Sequence, residues 1–88
     1  MSAIAINDLK PKFDSAKSFY GKAKVRKIGD SYTLFSYDTS VMRWDGKNLT
    51  RAASQPQSAT TARHMREWAQ QLGFKKMSKA ELKALPTF

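Results

Sequence analysis

The chain has 88 residues, 41% of them apolar, which is enough for one modest core without a disulfide or metal and too few for a second domain. It contains no cysteine, which removes disulfides, thiolate catalysis and cysteine-based zinc sites and fits a reducing compartment. The formal net charge is +9, and six of those charges arise in residues 10–27, where Lys10, Lys12, Lys17, Lys22, Lys24, Arg26 and Lys27 are offset by one acid, Asp14. Like charges so close together repel one another. The block reads either as a solvated surface or as one kept for an anionic partner, and the second reading leads.

Residues 1–8 carry neither a basic n-region nor an apolar run long enough for a signal peptide or a membrane span, so a soluble, intracellular protein with no membrane partner is expected. Pro11 restricts Lys10 and offers no N–H, so residues 1–17 read as an irregular or partly helical basic arm. From residue 18 to 52 β-forming residues dominate. Turn signals at Gly29-Asp30, Asp38-Thr39 and Asp45-Gly46 divide this stretch into four short runs, the pattern of an antiparallel meander.

Pairing parity predicts the faces of the meander, because residues opposite one another in a ladder point to the same side. A two-residue turn at Asp38-Thr39 pairs Phe35 with Met42, and a type I′ turn at Asp45-Gly46 pairs Trp44 with Lys47 and Met42 with Leu49. Phe35, Tyr37, Met42, Trp44 and Leu49 then form the core face. A three-residue loop over 29–31 adds Ala23 and Val25 to it and sends Lys22, Lys24 and Arg26 to the other face with Tyr32, Leu34, Ser36, Val41 and Arg43. On this register a two-residue loop would bury Lys24, so the longer loop is expected.

Helix signals follow the loop over 53–57. Ser58 is an N-cap, Ala62, Met65, Ala69 and Leu72 form an apolar stripe with Thr61 and Trp68 beside it, and Gly73 is a C′ residue with Phe74 folding back on Ala69. A main helix over 58–72 is predicted. Ser78-Lys-Ala-Glu81 is a capping box that opens a shorter helix over 78–85, ending before Pro86. The whole is expected to be a single α+β domain: an antiparallel three- to four-stranded meander packed on one long helix, plus a short C-terminal helix.

Such a meander leaves its second face uncovered, and here that face is basic. Lys22, Lys24, Arg26 and Arg43 suit phosphate contact, Tyr32 is either a stacking platform for an unpaired base or an ordinary cross-strand partner, and Arg63 and Arg66 join an anion site beside the helix start or are solvated charges. Catalysis has little support. One histidine, His64, and seven scattered acids make neither an acid–base pair nor a metal site, so no catalytic residue, metal or cofactor is expected. Gly21-Lys22 and Gly46-Lys47 lack the spacing and following helix of a phosphate loop and read as turns.

Three further segments carry a likeness: Ser18-Phe-Tyr-Gly-Lys-Ala23; Leu34-Phe-Ser-Tyr-Asp-Thr39 followed by Val41; and Ser58-Ala-Thr-Thr-Ala-Arg-His64 with Glu67-Trp68 and Gln71-Leu-Gly73. They resemble a family of small uncharacterised proteins common in phages and mobile elements, most specifically in the Ser-x-Thr-Thr-x-Arg-His element. The likeness covers residues 18–73 and leaves the arm and the tail outside. It implies a phage origin and a role in the host cytoplasm, and brings no activity with it. Thr60, Thr61, Arg63 and His64 either anchor the helix start to the sheet by buried hydrogen bonds or face a ligand, with the anchor preferred. The leading expectation is a non-enzymatic accessory protein that binds nucleic acid, DNA or RNA, through the open sheet face and the arm. The alternative is an inhibitor that docks on a host protein such as a defence nuclease complex or a polymerase.

Overall fold

A computed structural model describes residues 7–9 and 22–88, so most of the expected basic arm, with Lys10, Lys12 and Lys17, and the beginning of the first resembling segment lie outside the described residues. The fold is α+β. Among the described residues one antiparallel sheet runs in chain order through β1 (Asn7–Asp8), β2 (Ala23–Ile28), β3 (Ser31–Ser36), β4 (Thr39–Trp44) and β5 (Leu49–Arg51). Two helices follow, α1 (Ala59–Gln71) and α2 (Lys79–Lys83). The two-residue β1 is one strand more than expected, and it comes from the stretch read as irregular. Asn7 pairs with Val25 and Asp8 with Lys24, and Leu9 donates its N–H to the Ala23 carbonyl at 2.8 Å while its side chain enters the core.

All three expected turns differ, and parity is reversed twice, once by the first loop and once by a register shift between β3 and β4. Gly29-Asp30 is a two-residue loop that closes on Ile28 and Ser31, with Gly29 at φ 62°. The next hairpin turns one residue earlier than expected, at Tyr37-Asp38, both in the left-handed region at φ 51° and 68°, as a type I′ connection requires. Tyrosine is an uncommon residue there, which is why Asp38-Thr39 reads better locally. A register shift beside Leu34 and Phe35 then sets Leu34 opposite Met42. So Leu34, Ser36 and Tyr32 face the core side and Phe35 does not. The two reversals cancel across β3, which leaves Ala23, Val25, Met42, Trp44 and Leu49 on the core side and Lys24 and Arg26 on the other, as expected. Val41 was expected outside, yet it is buried in the core cluster.

The third connection spans four residues. Asp45 Oδ1 accepts the N–H groups of Asn48 at 2.6 Å and Lys47 at 2.8 Å, which holds its carboxyl below the usual range, and Gly46 sits at φ 94°. Trp44 therefore pairs with Leu49 instead of Lys47. The two extra residues preserve parity, so Leu49 stays in the core.

Helix α1 has 13 residues and begins and ends where the sequence signals lie. The Ser58 side chain accepts the Thr61 N–H at 3.1 Å, and at the other end Gly73 N–H bonds the Gln70 carbonyl and Phe74 N–H the Ala69 carbonyl, a Schellman motif. Its buried Ala62, Met65, Trp68 and Ala69 share one core with Val25, Leu34, Met42 and Leu49. Phe74 meets Trp44 edge to face at 5.5 Å between ring centroids.

The tail is tied back to β5. Arg51 and Thr87 form an isolated parallel bridge, Arg51 N–H bonds the Pro86 carbonyl at 2.9 Å, and Phe88 N–H bonds the Arg51 carbonyl at 3.0 Å. The Arg51 guanidinium donates to the carbonyls of Leu85, Ala53 and Gln55, so this cation holds loops together. Helix α2 seats Leu82, wholly buried, and starts with the expected capping box between Ser78 and Glu81. Lys75 pairs with Glu81 at 2.6 Å, and its hydrogen bond, with that of the Ser78 N–H, lowers the Glu81 carboxyl below its ordinary value. Ser78→Ala is expected to cost about 1 kcal/mol in thermal melts. A lowered folded pKa stabilises above the ordinary carboxylate range and is lost as pH falls through it, so Glu81→Gln should make the acid side of the stability profile shallower.

Candidate nucleic-acid interface

Of the residues expected to contact phosphate, the sheet gathers three. Lys24 lies opposite Phe35, Arg26 opposite Thr33, and Thr33 opposite Arg43, which in turn lies opposite Thr50. All project from the face turned away from α1. Arg26 is exposed, with its guanidinium carbon 5.4 Å from the Phe35 ring centroid; Arg43 is half-buried, 4.2 Å from the ring centroid of Phe88. Among the residues whose side chains are described, residue 9 and residues 22–88, no carboxylate lies in ion-pair range of Lys24, Arg26 or Arg43, and the backbone of Asp8 lies opposite Lys24 in the ladder. Three cations within a few strand widths, with Phe35 and Thr33 between them and Asp8 only at the β1 edge, leave a local positive field.

This face is less open than a bare sheet. Thr33, in its centre, is buried, while Lys24 and Phe35 are half-buried and Ile28 is exposed at the end of β2. The expected site residues also do not all meet here. Tyr32 lies on the core side, opposite Trp44, and packs against the core, because β3 is turned over relative to the expected register. Its ring is therefore on the other side of the sheet from Lys24, Arg26 and Arg43. Lys22 precedes β2 at the far end of the sheet, where its ammonium stands 6.0 Å from the Tyr37 ring centroid. Arg63 is exposed on α1, behind the sheet; Arg66 is half-buried and donates its Nε to the Met77 carbonyl, joining α1 to the segment before α2.

Of the helix motif, Thr61 and His64 enter a buried polar network with Ser36, while Thr60 is half-buried and Arg63 exposed. Ser58 Oγ donates to Thr61 Oγ1 at 3.1 Å, Thr61 Oγ1 is 3.5 Å from Ser36 Oγ, and Ser36 Oγ is 2.8 Å from His64 Nδ1. His64 is wholly buried, with its ring 5.8 Å from the Tyr37 ring. These contacts tie the first two turns of α1 to the end of β3, the anchoring role preferred from the sequence. Glu67 is also buried, one turn on, and accepts from Gln71 Nε2 at 2.6 Å. Sequence reading missed the burial of Glu67, since a glutamate beside an apolar stripe ordinarily marks its wet edge.

Comparison with known proteins follows the same boundaries. Residues 7–84 match the model of a family of unknown function, DUF8033. The chain belongs to that family. The match extends past residues 18–73 in both directions, so most of the arm and α2 are part of the shared domain and not private additions to it. No curated protein and no solved structure matches the chain. Among the described residues no helix is long and apolar enough to cross a membrane, and no three metal-ligating side chains cluster.

Proposed function

We propose that this DUF8033 protein is a non-enzymatic nucleic-acid-binding protein of phage origin, acting in the host cytoplasm, that contacts phosphates through Lys24, Arg26 and Arg43. The observation that carries the reading is the common face of these three cations, among which no ion pair forms with any residue whose side chain is described. Phosphate neutralisation by such groups releases counterions and needs no particular sequence. The phage origin rests on the helix motif, Ser58 to His64, and on nothing in the sheet.

A second reading draws on the apolar residues around the cations. Ile28 and Phe88 are 55% and 41% exposed, so a host protein with an acidic patch and an apolar rim would also fit. Fluorescence anisotropy with mixed-sequence single- and double-stranded DNA and RNA at low salt separates the two. Binding to at least one of these probes is expected. No binding to any of them, together with recovery of one stoichiometric host protein from nuclease-treated lysate, would replace the first reading with the second.

A further inference from the structure

In the middle of the basic face, Thr33 is 2% exposed and its Oγ1 has no hydrogen-bond partner among the described residues. A buried hydroxyl left unpaired is costly, and native folds contain few of them. Valine has nearly the same shape and suits a strand at least as well, so packing alone does not account for the hydroxyl. Its cross-strand neighbours are Arg26 on one side and Arg43 on the other. Strands lie about 4.8 Å apart, so the two arginine backbones stand about 10 Å apart with the hydroxyl midway between them.

Each guanidinium rests on a ring, Arg26 on Phe35 and Arg43 on Phe88, and no carboxylate whose side chain is described engages either. A guanidinium presents a planar fork of donors that matches the oxygens of a phosphate, and a threonine hydroxyl adds one donor at a fixed height above the sheet. We infer that Arg26, Thr33 and Arg43 form a seat for one phosphodiester group of a nucleic-acid backbone, with the Thr33 hydroxyl donating to a non-bridging oxygen. The seat rests on the nucleic-acid reading and gives it atoms. For a phosphate to reach the hydroxyl, the side chains that bury Thr33 must move aside, and the guanidiniums turn from their rings toward the phosphate. Lys24, one row away beside Phe35, then meets a neighbouring phosphate.

Anisotropy of a labelled mixed-sequence single-stranded DNA, measured on the full chain with Thr33→Val and Thr33→Ser, tests the seat. Thr33→Val is expected to lose about tenfold in affinity, the size of a hydrogen bond to a charged group, while melting at or above the parent temperature. Thr33→Ser retains the donor and should bind like the parent. Inorganic phosphate is the competing probe: weak, millimolar-range displacement of the DNA supports a backbone seat. Tight binding of inorganic phosphate without any response to DNA would make it a free-anion site and overturn the inference. Parent-like affinity in Thr33→Val, with binding lost in Arg26→Glu, would overturn the seat and leave the nucleic-acid reading standing. A parent chain that binds no nucleic acid overturns both.

Discussion

Trp68→Ala is expected to destabilise the domain by about 3–5 kcal/mol, the usual cost of deleting a large buried aromatic side chain and leaving a cavity. Trp68 is the largest of the fully buried side chains and sits in the core formed by α1 and the inner face of the sheet. Domains of this size are commonly stable by only about 5–15 kcal/mol, so the variant should be close to unfolding at physiological temperature. In a thermal melt the loss should appear as a fall of at least ~12 °C. Ile28→Ala is the matched control, an apolar truncation at an exposed position, and should change stability by no more than about 0.5 kcal/mol. A Trp68→Ala melt within ~2 °C of the parent would mean that α1 does not close the core through this residue.

Reversing Lys24 and Arg26 together to glutamate should have the largest effect on binding. Each phosphate contact adds about −0.9 to the log–log slope of duplex affinity against salt, so losing two should flatten that slope by about 2 and lower affinity most strongly at low salt. Lys24 is half-buried and Arg26 exposed, and neither is in an ion pair with a residue whose side chain is described. The melt should therefore change little. Lys79→Glu with Lys83→Glu is the control, since it makes the same change in net charge on exposed positions of α2. If both pairs lose binding equally, attraction is diffuse and the sheet face holds no site.

How much of this was legible in the sequence depended on how local the controlling chemistry is. The Ser58 and Ser78 caps, the Gly73 C′ residue and the stripe of Ala62, Met65 and Ala69 act within a turn or two of helix, and α1 and α2 begin at the expected caps. The side of Lys24 and Arg26 was also read correctly, although by a route in which a wrong first loop was offset by an unread register shift between β3 and β4. The turn at Tyr37-Asp38 was misread as well. A tyrosine at positive φ is unfavourable by itself, and the two-residue loop at Gly29-Asp30, which sets Leu34 opposite Val25 and Ser36 opposite Ala23, is what brings Leu34 and Ser36 into the core.

The candidate site was less legible than the fold. Tyr32 reads as a ring among lysines in the sequence, but the one-residue change in register turns it to the core side, away from the cations it was grouped with. Arg66 and Arg51 count as free charges in any composition, yet each donates to backbone carbonyls far along the chain. Phe88 comes to Arg43 only because the tail bridges to β5, a contact across 45 residues that no local pattern announces.

By itself the sequence determined the four strand segments from residue 23 onward, both helices with their N-caps, the end of α1 and the excess of basic charge, because turn chemistry, capping and apolar periodicity act between near neighbours. Only the tertiary structure decided which face each residue of β3 presents, that His64 and Glu67 are buried, and that Thr33 lies unpaired between Arg26 and Arg43. A slip of one residue in a ladder changes little locally and exchanges every side chain between the two faces, so the choice rests with the packing of the whole sheet against α1.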